Sequence, residues 1–410
     1  MPRVAIILPT STYRTRDFMD AADALDIDIT VVSERRQLLA DEMGDGFLLA
    51  DLGHPTEAAA AIVERAGRTP FDAIVAVDDP GVLVAALAAQ SLGLPHNPPS
   101  AVAATRNKAT LRRQLNGVVR QPPFQIAEPG IDVVGLAEVV GYPLVIKPLS
   151  LSASRGVIRV DGPGDVQPTV ERIRLILARA GRSPSEPLLF ERFVPGAEVA
   201  VEGVLRHGQL DILAVMDKPD PLDGPFFEES IYLTPSRHHP EILEEVRDVV
   251  ATAVEALGLI EGPIHAELRI DGPFVRLIEI AARSIGGLCG RALRFGLLGS
   301  SLETVLLRAA VGMRSPHPHR TDRAGGVLML PIARTGVFGG IEGTEQALAV
   351  EGITDLEVSV PVGETIEALP EGHRYLGFLF ARGDEPAAVE DALRGGLAAL
   401  TIRIDADPTV

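Results

Sequence analysis

Short apolar runs alternate with amphipathic stretches along the first part of the chain. Residues 4–8 and 27–32 read as strands, with a helix over 16–25 between them. Residues 71–77 read as another strand, ended by Asp78 and Asp79, and Pro80 opens a helix through Ser91. Proline suits an early helical position because its missing N–H costs little there. Strands alternating with helices predict a parallel sheet covered on both faces. Sites in such sheets lie beyond the carboxyl ends of strands, where Asp78 and Asp79 stand. The plainer role for the two acids is a helix N-cap.

The pattern then loosens. "GLPHNPPS" (93–100) reads as a linker, with Ser100 capping a helical stretch that contains "RNKATLRRQL", and "RQPPFQIAEPG" (120–130) reads as a second break. A helix near 133–140, the strand "YPLVIKP", the polar loop "SLSASRG" (150–156), the strand "GVIRV" and a helix over 170–180 follow. After "PLLFERFVPG", the run "AEVAVEGVLRHGQLDILAVM" predicts a hairpin turning at His207-Gly208. A helix over 241–257 stops at Gly258, a left-handed C-cap. "RSPHPHR" (314–320) marks a further boundary, and the tail from 323 mixes strands and helices.

"PIHAELRIDGPFVRLIEI" predicts two strands around Asp271-Gly272. A two-residue Asp-Gly turn is the default. It would ask Pro273 for a backbone N–H that proline lacks. It would also place Ile264, Ala266, Leu268 and Ile270 on one face with Val275, Leu277 and Glu279. A three-residue connection, Asp271-Gly272-Pro273, sets Ile270 against Phe274 and gathers His265, Glu267 and Arg269 of one strand with Val275, Leu277 and Glu279 of the next on one face. Glu267 then faces Leu277, with Glu279 as its diagonal neighbour. Diagonal partners lie about 7–8 Å apart at the backbone, within joint reach of long side chains.

Composition narrows the reading. At 410 residues the chain holds two to four domains of about 100–200 residues each. The net charge is −18 and no basic tract stands out, which argues against a general nucleic-acid or anionic-membrane surface. A single cysteine, Cys289, excludes an intrachain disulfide and a cysteine-based zinc site, and reads as a buried filler. "MPRVAIILPT" reads as a first strand rather than a secretory signal. No window approaches the ~18–20 apolar residues of a membrane span, so a soluble, cytoplasmic protein is expected.

Two carboxylates converging on one sheet face repel each other unless a cation lies between them. Glu267 and Glu279 suit Mg²⁺ (or Mn²⁺), which often takes one or two carboxylates plus substrate phosphates; two solvated glutamates are the alternative. Arg283, followed by Gly286 and Gly287, places a guanidinium near the same ion. Lys147 is the lone charge of an apolar run, and lysine is rarely buried unpaired. The loop after it offers Ser152 and Ser154 to phosphate oxygens, although no GxxxxGK[ST] motif is present. Glu191 and Glu198 flank Phe193-Val194-Pro195-Gly196, where extended backbone can meet a purine edge.

Taken in order, Lys108, Lys147 with its small-residue loop, Glu191-Arg-Phe-Val, Glu198, His265-x-Glu267 and Glu279-Ile-Ala-Ala-Arg283 resemble the ATP-grasp superfamily. "EIAARSIGG" and "GFLFARG" look most like its bacterial L-amino acid ligases. The resemblance implies an α/β ATP-grasp fold. A Rossmann-like parallel-sheet domain would span 1–98. An ATP-grasp domain would span 99–312, with a small lobe near 120–193 and a large lobe near 194–312. A C-terminal α+β domain would span 313–410 and pack on the large lobe.

By the same resemblance, Lys108 and Lys147 contact the phosphates of ATP and the serine loop closes over them. Glu191 to Val194 line the adenine, Glu198 holds the ribose, and Glu267 and Glu279 bind Mg²⁺. Arg283 steadies an acyl-phosphate, to which an amine then adds. Ala281 stands where many members have asparagine, which removes one possible metal ligand. His238 and His239 are candidates for the base or an oxyanion contact. Glu228 or Glu229 would hold an ammonium group, and Asp78, Gly286 and Gly287 would line the substrate pocket. Lys218 is a weaker candidate for approaching the nucleotide. The partners are then an amino acid carboxylate and an amine acceptor, in a homodimer. A purine-pathway or other small-molecule carboxylate–amine ligase of the same fold, and a non-catalytic ATP-binding module, are the alternatives.

Overall fold

The computed structural model describes residues 1–36, 46–296, 299–313 and 323–406, so the boundary expected at 314–320 lies outside the described residues. The first sheet is wholly parallel, in the order Phe47–Leu49, Asp28–Ser33, Arg3–Ile7, Ala73–Ala76. Its central strand feeds two cores by simple alternation. Val4 and Ile6 pack with Phe18, while Ala5 and Ile7 pack with Ala58 and Ile62 on the opposite face. The helix Asp79–Leu92 follows the strand Ala73–Ala76, with proline in its first turn and Asp78 at the N-cap position.

The expected linker region differs in detail. Two helices, Pro99–Thr105 and Lys108–Leu115, replace the single stretch. Ser100 sits inside the first of them and caps nothing; Asn107 caps the second, accepting from the Thr110 N–H at 3.0 Å. The second expected break contains a strand, Phe124–Ala127. That strand opens an antiparallel sheet in the order Phe124–Ala127, Leu188–Arg192, Leu144–Pro148, Ile158–Val160. The helices Val133–Val140 and Val166–Arg179 cover it, the latter starting a turn earlier than the periodicity predicts.

The largest sheet has eight strands. Their order is Phe274–Ala281, Gly262–Asp271, Ala197–Arg206, Gln209–Lys218, Ile231–Thr234, Ala324–Met329, Gly377–Gly383, Ile353–Val358. Helix Pro240–Leu257 lays Val246, Val250 and Val254 on one face, against Ile264, Leu268 and Leu277. Three of the eight strands come from the tail, so the sheet runs through the chain position where a boundary was expected.

The hairpin Gly262–Asp271/Phe274–Ala281 corrects the expected register. Asp271 pairs with Phe274, so the connection is the two residues Gly272-Pro273, with Gly272 in the left-handed region (φ 59°). Proline sits inside the turn, where no N–H is asked of it. Parity is restored by a bulge further along. Leu268 pairs with Leu277 but Glu267 with Glu279, leaving Ile278 extra. An added residue in one strand reverses which side chains face the core. Val275, Leu277 and Ile280, each 0% exposed, therefore all enter the same core. The expected set of Val275 and Leu277 beside Glu279 does not occur.

Candidate active site

A cavity of about 740 Å³ opens between the parallel-sheet unit, the small antiparallel sheet and the eight-stranded sheet. Glu267 and Glu279 stand directly opposite each other on its floor. Opposed residues of an antiparallel pair have Cβ atoms about 4.5–5.5 Å apart. Lys218 Nζ lies 3.1 Å and His265 Nε2 3.6 Å from Glu267 Oε1, and Lys108 Nζ lies 3.5 Å from Glu279 Oε1. Among the described residues no cluster of three or more metal-ligating side chains occurs. A two-carboxylate floor beneath an open cavity fits a hard cation that draws its other ligands from phosphate and water.

His265 is buried between this pair and Glu202. Burial alone would lower its pKa, but the Glu202 carboxylate at Nδ1 carries it up to about 9. Its Nε2 edge faces Glu267 at 3.6 Å.

The wall toward the small sheet carries the two predicted lysines. Lys108 opens the helix Lys108–Leu115 and donates to the Leu151 carbonyl at 2.7 Å, which already ties it to the serine loop. Lys147 Nζ lies 2.5 Å from Glu191 Oε2. Arg112 binds the other Glu191 oxygen and donates to the Ile278 carbonyl at 2.5 Å, so it ties Glu191 to the bulge. Burial would raise the Glu191 carboxyl, but Arg112 and Lys147 hold it below the usual range. Its side chain is therefore paired with two cations on the cavity wall. Ser152 and Ser154 line the cavity, whereas the Ser150 hydroxyl donates to Glu186 at 2.8 Å.

Phe193 lies beneath the guanidinium groups of Arg159 and Arg269, 4.4 and 5.1 Å from its ring centre, and the Val194 carbonyl accepts from Arg269. Both Glu198 oxygens are taken, one by Lys218 at 2.7 Å and one by Arg269 at 2.8 Å. Lys218 is the hub of this region. Its ammonium also donates to Glu229 at 2.9 Å and reaches Glu267. Burial opposes its charge, but the surrounding acids hold its pKa well above the ordinary value. Glu229 further accepts from the hydroxyls of Tyr232 at 2.5 Å and Tyr375 at 2.7 Å. Burial would raise that carboxyl too; Lys218 and the two tyrosines keep it far below.

Arg283 leaves the hairpin and meets Asp79 at 3.1 Å, which joins the large sheet to the parallel-sheet unit. Asp79 would be raised by burial but is held low by Arg283. Asp78 lines the cavity, and its side chain makes no capping bond. The turn after Arg283 is braced from both sides. Arg14 donates to Ser284 Oγ at 2.6 Å, to the Ile285 carbonyl at 3.1 Å and to Glu303, while Glu202 accepts from the Ile285 N–H at 3.0 Å. Gly286 and Gly287 line the cavity; at Gly287 (φ 59°) a Cβ would come within 2.9 Å of the Phe378 ring.

Three expected residues stand apart. His239 caps the helix Pro240–Leu257 and is 70% exposed, and His238 lies 4.0 Å from Asp217; neither lines the cavity. Glu228 turns into a small side pocket beside Met329 and Ile332, where it accepts from the Ile332 N–H at 3.3 Å. Arg112, Glu202, Arg269 and Tyr375 were not singled out from the sequence. A hint was present for Arg112, which falls on the buried side of an amphipathic helix.

Residues 140–292 match the ATP-grasp domain and residues 19–96 the ATP-grasp N-terminal domain. The chain is an ATP-grasp protein in fold. Residues 328–405 match the L-amino acid ligase C-terminal domain 2. It is 27% identical over 285 residues (68% of this chain, 56% of the relative) to the uncharacterized protein y4rH of Sinorhizobium fredii. It is 28% identical over 276 residues (64% of this chain, 33% of the relative) to human carnosine synthase 1. The chain thus spans about half or less of the length of these curated relatives. Among solved structures, the L-amino acid ligase of Bacillus licheniformis superposes with a TM-score of 0.80 at 24% identity, covering 99% of each chain. The biotin carboxylase domain of Hydrogenobacter thermophilus 2-oxoglutarate carboxylase, in complex with MgADP and bicarbonate, superposes with a TM-score of 0.70 at 16% identity, covering 98% of this chain and 90% of that one.

Proposed function

We propose that the protein is an ATP-dependent carboxylate–amine ligase that joins two amino acids and releases ADP and phosphate. The observation that carries this reading is the opposed pair Glu267 and Glu279, facing a cavity whose other walls present Lys108, Lys147 and Arg283. ATP would bind between the lobes, its phosphates against Lys108, Lys147 and the Ser152–Ser154 loop. Mg²⁺ (or Mn²⁺) on Glu267 and Glu279 would supply countercharge to those phosphates. The carboxylate substrate attacks the γ-phosphate, and Arg283 steadies the resulting acyl-phosphate. An amine then displaces phosphate to form the amide. Such transfer is helped mainly by positioning and by countercharge on the oxygens. The tail match to an L-amino acid ligase domain favours amino acids over purine-pathway substrates. A cytoplasmic homodimer belongs to the same reading and rests on the resemblance alone. Among the described residues no helix is long and apolar enough to cross a membrane.

The test is phosphate release over pairs of amino acids, with mass detection of product. Amide product with ADP supports the reading. ATP bound without ADP formation on any pair would leave a binding module instead.

A further inference from the structure

One short segment of the tail touches each unit around the cavity. The Pro370 carbonyl accepts from the Gly156 N–H at 2.9 Å, and the Glu371 carbonyl accepts from Arg155 Nε at 2.9 Å. The Glu371 carboxylate takes the fork of Arg172 at 2.7 and 3.0 Å, on the helix that covers the small sheet. Four residues on, the Tyr375 N–H donates to the Tyr13 hydroxyl at 3.0 Å, in the parallel-sheet unit. The Tyr375 hydroxyl reaches Glu229 on the eight-stranded side. Pro370 and Glu371 themselves sit in a tight turn, closed by the Gly372 N–H on the Ala368 carbonyl at 2.9 Å.

The serine loop has reason to need an outside tether. Ala153 and Ser154 both lie in the left-handed region, each with φ 55°. Residues with a Cβ are disfavoured there and persist only where their surroundings hold them. The contacts from Pro370 and Glu371 fall immediately after those two residues. They come from outside the cavity, because neither Pro370 nor Glu371 lines it, while His373, Arg374 and Tyr375 do.

We propose that residues 367–375 form a strap that sets the serine loop against the nucleotide, with Glu371 as its positioning residue. The strap's other end lines the substrate side, so it couples an amino acid near Tyr375 to nucleotide affinity. Coupling of this kind is reciprocal between the two ligands. The proposal rests on the reading above that the loop meets ATP phosphates.

The test uses the full chain with Glu371→Gln, Arg172→Ala and the two together. Trypsin cleavage after Arg155, followed by mass detection without nucleotide, reads the tether directly. The strap predicts cleavage about tenfold faster in each variant. It also predicts an ATP KM raised about tenfold with kcat within about twofold, and a double variant no worse than the worse single one. Arg172 is half-exposed on its helix, so Arg172→Ala keeps the test usable if Glu371→Gln does not fold. Unchanged cleavage, or a fall in kcat with ATP KM unchanged, would overturn the strap. Failure of wild-type turnover on every amino acid pair would overturn the ligase reading instead, and the cleavage rates would still decide the strap.

Discussion

Glu267 stands directly across from Glu279, and the bulge at Ile278 is what brings them into register. Without the extra residue, burying Val275 and Leu277 would send Glu279 into the core with them. The pairing therefore joins a packing requirement to a chemical one. Replacing Glu279 by alanine should lower turnover by about 10²–10³-fold, the usual cost of one charge-stabilising contact. Its side chain is 31% exposed, so thermal unfolding should stay near wild type. EDTA should abolish phosphate release by the wild-type protein. A Glu279→Ala protein with wild-type, Mg²⁺-dependent turnover would contradict the metal role.

Lys218 holds three acids at once, and its loss should be costly. Lys218→Met would leave Glu198 and Glu229 buried without their shared cation, at about 3–5 kcal/mol by denaturant unfolding. The pH response should also change sign. In the wild type both carboxyls are held low, so their contribution is complete above the unfolded value of about 4.3 and is lost as the pH falls through the lower folded values. In the variant Glu198 keeps Arg269, but Glu229 is left buried without a cation and favours protonation, so stability should rise as the pH is lowered from 7 toward 5. A variant whose stability falls over that interval would refute this account of the hub.

Glu191 offers a cleaner case, since it touches neither floor acid. Its depressed carboxyl stabilises the fold fully above about pH 4.3 and progressively less below, as the pH passes through the folded value. Glu191→Gln should be weaker at neutral pH by about 3–5 kcal/mol, because Arg112 and Lys147 lose their counterion. Its acid limb should be shallower than that of the wild type. Parallel limbs in urea titrations from pH 3 to 7 would rule out the charge account.

His238 and His239 lie outside the cavity, so the double alanine variant should keep kcat within about twofold. A hundredfold loss in steady-state assays would return the pair to the reaction.

The alternation of strands with helices over the first hundred residues was enough to foresee a parallel sheet with two covered faces, because each crossover helix must lie on the sheet. The convergence of Glu267 and Glu279 was also legible, since both strands declare a buried face. The route to it was not. A bulge moves parity by one residue while leaving composition and turn residues unchanged, so the sequence is equally compatible with a longer loop. The pairing of Glu191 was not legible for a different reason: its partners Arg112 and Lys147 come from a distant helix and a neighbouring strand. Lys218 was noted, but its three acids converge only after folding. The histidine pair was a candidate because the amine must lose a proton, yet His239 serves as a helix cap.

The run from Ile231 to Leu328 in the large sheet has an evolutionary corollary. Ile231–Thr234 borrows its outer neighbour, Ala324–Met329, from far along the polypeptide. A recombination event that exchanged endings between paralogues would have to replace three strands of an eight-stranded pleated surface at the same stroke. Truncated, the chain would present Ile231 and Leu233 as a bare, adhesive margin. Inheritance of the ending and of the glutamate floor as one indivisible block is the expected outcome.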